Sequence, residues 1–137
     1  MLLKHYFTGK IAHSSYILAG KQACAVIDPR RDVDLYVSEA RSLGVTITHI
    51  LETHLHADFV SGHMDLARET GATIYAPGSA QCAFKHVAVA GGDTIRLEDM
   101  SLMVLETPGH TPEHVSYVVS DLSRSETPVG VFVGDVL

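Results

Sequence analysis

The apolar period of this chain changes twice between residues 16 and 51, and that pattern limits the folds open to it. Tyr16-Ile-Leu-Ala19 and Ala23-Cys-Ala-Val-Ile27 are short apolar runs either side of Gly20-Lys-Gln, the pattern of two strands. Asp28-Pro29 ends the second. Val33, Val37, Ala40 and Leu43 then fall on one helical face, with Asp32 as the expected N-cap and Gly44 as the C-cap. Residues 46–51 return to a β-branched strand pattern. A second helix is expected over about residues 61–70, closing at Gly71, followed by a strand at residues 73–75.

The rest reads as β. Ala90-Gly-Gly-Asp93 marks a turn, and residues 94–97 and 102–106 form a hairpin across Glu98-Asp99. Residues 115–119 and 129–133 are further strands. The expectation is a mixed α/β chain. With 137 residues, 46% of them hydrophobic and 19% charged, it forms one packed domain. Residues 129–137 are an apolar strand pattern without a polar tail, so the domain is expected to be incomplete and to continue in a longer protein. The same apolar edge favours self-association into a homo-oligomer.

Charge excludes some classes. Lysine plus arginine is 10 and aspartate plus glutamate is 16, a net charge of −6, which speaks against nucleic acid and anionic membranes as partners. No apolar run nears the roughly 18 residues of a membrane span. Two cysteines, Cys24 and Cys82, are too few for a disulfide framework, and a cytoplasmic location is expected. Cys24, in an apolar strand, is a core residue, and Cys82 has no activating neighbour in sequence.

Nine histidines are the unusual feature, and some are grouped. Glu52-Thr-His54-Leu-His56-Ala-Asp58 comes directly after a strand. Two histidines at i and i+2 on a loop leaving a strand can converge on one ion, and imidazole with carboxylate suits zinc or iron(II). In Thr107-Pro-Gly-His110-Thr-Pro a forced turn aims His110, and Gly134-Asp135 places a carboxylate at another strand end. His5, His13, His49, His86 and His114 are expected to be ordinary surface or hydrogen-bonded histidines. His63, on the second helix, is a weak ligand candidate.

Thr53-His-Leu-His-Ala-Asp58, Gly109-His110-Thr111 and Gly134-Asp135 together resemble the metallo-β-lactamase fold superfamily along essentially the whole chain. His-Ala-Asp-x-Val-Ser-Gly and Pro-Gly-His-Thr-Pro-Glu resemble the persulfide dioxygenases within it, and glyoxalase II more distantly. The resemblance implies the N-terminal part of an αββα sandwich, a mixed sheet with helices on one face, and a metal cleft at one sheet edge. It implies His54, His56, His110 and Asp135 as metal ligands. His56 is expected either to ligate or to hydrogen-bond a bound water, and Asp58 to orient a ligand or that water; these two are the candidate catalytic residues. The signature's last histidine is Phe59 here, which cannot ligate and favours one metal over two.

The activity implied by the resemblance is oxidation of a small persulfide, such as glutathione persulfide, to sulfite and thiol at a mononuclear iron(II) site, with zinc as the alternative metal. One alternative is a zinc thioester hydrolase of the glyoxalase II type. Another is a non-catalytic module in a sulfur-transfer fusion, since relatives are sometimes joined to rhodanese domains. The 137-residue chain alone is expected to be weakly active or inactive.

Overall fold

A computed structural model describes residues 1–56 and 61–135. Among these, β1 (Leu2–Thr8), β2 (His13–Ala19), β3 (Ala23–Ile27), β4 (Thr46–Leu51), β5 (Thr73–Pro77) and β6 (Val87–Val89) form one sheet in that order. The first three strands are antiparallel, and β3 to β6 are parallel. A parallel step needs a crossover. Helices α1 (Asp34–Leu43) and α2 (His63–Thr70) supply two of them. A second, antiparallel sheet runs β10-β9-β8-β7, from β7 (Thr94–Leu97), β8 (Met100–Glu106), β9 (Val115–Asp121) and β10 (Gly130–Phe132).

Consecutive strand residues point to opposite faces. Leu18, Ile27 and Leu51 therefore pack between the sheets, with Leu102, Tyr117 and Phe132. Their neighbours Ile17, Val26 and Ile50 face the helices, against Tyr36 and Leu66. Burial on both faces makes β3 and the end of β2 apolar runs, legible in sequence as such, whereas β4 is legible through its β-branched residues. The layers are helices, mixed sheet, antiparallel sheet: the α/β arrangement expected, with both helices on one face. No helix among the described residues is long and apolar enough to cross a membrane.

Several local expectations change: β6 is a strand not expected from sequence, and β2 and β8 begin earlier, at His13 and Met100. Strand β1 carries no sequence signal because its residues are mostly exposed; pairing with β2, from Leu2 opposite Ala19 to Thr8 opposite His13, makes it a strand. Asp32 does not cap α1. Val33 stands at that position without a side-chain bond, and Asp32 accepts from the Arg30 guanidinium at 3.0 and 2.9 Å. The expected strand 129–133 narrows to Gly130–Phe132. Gly44 and Gly71 close the helices in the left-handed conformation, as expected.

Candidate metal centre

The carboxyl ends of β3 and β4 share one edge because those strands are parallel. Strand β9 and the segment after β10 reach the same edge: Val115 N–H donates to Thr53 O at 2.8 Å, and Asp135 N–H to His114 Nε2 at 3.1 Å. Loops at the carboxyl ends of parallel strands are where α/β sheets place their sites.

Three side chains from three loops converge there. His54, His110 and Asp135 each offer one ligand atom, all within 4.8 Å of one another. His54 Nε2 and His110 Nε2 both lie 3.4 Å from Asp135 Oδ2. His54 is buried, whereas the His110 and Asp135 side chains are 47% and 43% exposed. The centre is thus open on one side.

The partners of His54 set its tautomer. Asp28 accepts from Thr53 N–H at 2.8 Å and from Thr53 Oγ1–H at 2.7 Å. With its only proton given to Asp28, Thr53 Oγ1 accepts from His54 Nδ1–H at 2.8 Å. Nε2 then presents a lone pair, and this buried atom has no hydrogen-bond partner among the described residues. Burial, and after it the neighbouring His56 charge, lower the pKa of His54 and keep the ring neutral. Two imidazole lone pairs and a carboxylate repel one another unless a cation lies between them. A buried, orphaned and correctly oriented nitrogen therefore fits a metal ion.

His56 is placed differently. Its Nε2 lies 3.1 Å from both Asp28 Oδ1 and Glu52 Oε2. Burial works against a charge there, but the two carboxylates raise its pKa to about 10. Glu52 is buried too, which alone would raise its pKa; His56 and His63 instead hold it at about 2. His63 Nδ1 lies 3.0 Å from Glu52 Oε1, outside the three-residue group, and Ser61 Oγ donates to the same oxygen at 2.6 Å. Asp28, His54 and His56 form a second group of three donors, but its Asp28 is already bonded to Thr53. Asp58 and Phe59 lie outside the described residues.

Sequence reading missed Asp28, Glu52 and Thr53 as supports. Asp28 looked like a strand terminator, and no local pattern joins it to Thr53, 25 positions on. His5, His13, His49 and His86 are hydrogen-bonded, to Ser14, Asp28 O, Arg96 O and Phe84 O, as expected. Cys24 is a core thiol that burial pushes up to about 12. A small cleft of about 90 Å³ opens beside His54, His56 and Asp135. The larger cavity, about 420 Å³, lies across α2 along Met64, Ala67 and Phe84 and touches none of the three donors.

The profile of the Metallo-beta-lactamase superfamily matches residues 8–124. A hydroxyacylglutathione hydrolase of Rhodospirillum rubrum is 37% identical over 117 residues, covering 84% of this chain and 43% of that protein. The chain spans less than half the length of the curated relatives it matches. A metallo-beta-lactamase structure from Staphylococcus aureus aligns with a TM-score of 0.91 at 35% identity, covering 98% of this chain and 41% of that one. ETHE1 from Myxococcus xanthus aligns at 0.82 and 29%, covering 87% and 54%. By sequence profile, strand order and the convergence of its histidine loops, the chain belongs to the metallo-β-lactamase superfamily, whose members are metal-dependent enzymes.

Proposed function

We propose that this chain supplies the metal site of an enzyme acting on small thiol conjugates, with one ion held by His54, His110 and Asp135. The observation that carries the proposal is the convergence of these three donors within 4.8 Å, with His54 Nε2 buried and orphaned. A bound ion would supply a Lewis acid and a means of activating water or dioxygen. The chain's own residues do the rest. Asp28 and Thr53 hold the His54 tautomer, and the open side leaves room for substrate.

The names of the curated relatives favour hydrolysis of a hydroxyacylglutathione thioester, the alternative expectation, over persulfide oxidation, the first one. Thioester hydrolysis is therefore the leading reading. Persulfide oxidation stands second on a specific observation. His56 is bonded to Asp28 and Glu52, so the ligand set reduces to two histidines and one carboxylate with open positions, the geometry of non-haem iron oxygenases. Similarity to ETHE1 supports the same family branch expected from sequence. A cytoplasmic setting and a rhodanese fusion partner belong to this proposal as expectations.

One experiment separates the readings. The protein is loaded with zinc or with iron(II), then assayed for thioester cleavage without oxygen and for oxygen uptake on glutathione persulfide. Anaerobic cleavage, lost in His110→Ala, supports the hydrolase. Iron-dependent oxygen uptake supports the oxidation. Metal bound with neither activity leaves this chain a metal-holding module that catalyses neither reaction by itself.

A further inference from the structure

Asp135 needs an anchor. It lies past the end of β10, whose pairing with β9 stops at Phe132 opposite Tyr117, and its side chain is 43% exposed. Beyond that last ladder position, Asp135 N–H donates to His114 Nε2 at 3.1 Å. His114 is 1% exposed and immediately precedes β9. Accepting at Nε2 leaves the proton of the neutral ring on Nδ1, which donates to Thr107 Oγ1 at 2.9 Å. Thr107 then donates to Ser116 Oγ, also at 2.9 Å. The backbone is fixed as well, since Thr107 N–H donates to His114 O at 3.0 Å. On its face, the His114 ring stacks on His54 with centroids 4.9 Å apart and planes 23° apart.

We infer that His114 is a positioning residue for the metal centre: its Nε2 lone pair holds the Asp135 backbone so that the carboxylate meets His54 and His110. The inference rests on reading Asp135 as a metal ligand. His114 does not touch the ion in this role. It acts through a backbone amide on one side and ring contact with His54 on the other. The opposite tautomer would set an N–H against the Asp135 N–H, donor against donor, so the chain through Thr107 and Ser116 is part of the device. Residues that orient ligands in this way typically contribute about 10–100-fold to metal affinity.

The test is zinc affinity of the purified protein, by competition with a chelator, in a set of variants. Asp135→Asn alone examines the ligand reading, and an unchanged affinity there overturns that reading and this inference with it. With Asp135→Asn weakened, His114→Leu and His114→Asn are expected to lose about 10–100-fold. His114→Gln, whose amide oxygen reaches the Nε2 position, is expected to keep most of the affinity. Gln and Asn both remove the ring stack, so the difference between them reports the bond to Asp135 rather than packing. His114→Leu combined with Asp135→Asn is expected to bind no more weakly than Asp135→Asn alone. Equal losses in Gln and Asn, or losses that multiply in the double variant, overturn the inference.

Discussion

The Thr53 hydroxyl donates a hydrogen bond to Asp28 across 2.7 Å, and that bond decides which nitrogen of His54 faces the centre. Thr53→Val keeps the shape and removes the oxygen. His54 Nδ1 then loses its acceptor and buried Asp28 loses a donor. The expected result is about 10–100-fold weaker zinc binding and a stability loss of about 1–3 kcal/mol. Thr53→Ser should restore both. Chelator competition and denaturant unfolding check the pair; a Val variant with unchanged zinc affinity would refute the relay.

Gly134 is the tightest point of the centre. It has φ +54°, and a Cβ there would lie 2.5 Å from Thr53 Oγ1 and 2.6 Å from His114 Nε2. Gly134→Ala must shift the segment that carries Asp135. The strained backbone conformation alone costs about 1–3 kcal/mol, and zinc affinity should fall at least about tenfold. Melting temperature measured with and without zinc separates the two effects: the loss should be larger with zinc present.

His110 is half exposed, so its truncation should spare the fold. The metal-free His110→Ala protein should unfold within about 0.5 kcal/mol of the parent. Zinc at roughly a hundredfold excess over its Kd should stabilise the parent by about 2.7 kcal/mol, and the variant hardly at all. Differential scanning calorimetry reads both numbers, and equal zinc stabilisation of the two proteins would remove His110 from the ligand set.

Glu98 ties the β7–β8 turn to the β2–β3 turn. Its carboxylate accepts from the amides of Lys21, Gln22 and Ala23, at 3.3, 3.1 and 2.9 Å for the nearest oxygen in each case. Those bonds, Ala23 first, lower its pKa below the ordinary value of 4.5. A lowered carboxylate pKa contributes stability that is complete above the unfolded value and is lost as pH falls through the folded one. Glu98→Gln should therefore melt below the parent at neutral pH, with the gap closing on acidification below about pH 4.5. Melting curves across that range check it; a gap independent of pH would mean the charge is not involved.

Much of this protein was legible without coordinates. β3 and residues 16–19 of β2 appear as apolar runs, β4 as a β-branched segment, and α1 as a helical period ending at Gly44, because burial on two faces or one face leaves a local signature. His54, His110 and Asp135 were found because each sits where a strand ends, in short motifs with turn residues beside them. β1 was not found, since an exposed edge strand has no burial pattern and takes its shape from β2.

The placement of His56 was open in sequence between ligand and water partner, and the structure sets it against Asp28 and Glu52. Asp28, Thr53 and His114 were invisible as a support because they belong to three separate segments, and nothing local links them. The sequence by itself determined which donors exist and which loops carry them, because turns and strand ends are written in neighbouring residues. Only the tertiary structure decided which nitrogen of His54 and of His114 carries the proton. That choice depends on hydrogen bonds between groups far apart in the chain, and these exist only once the two sheets have closed on each other.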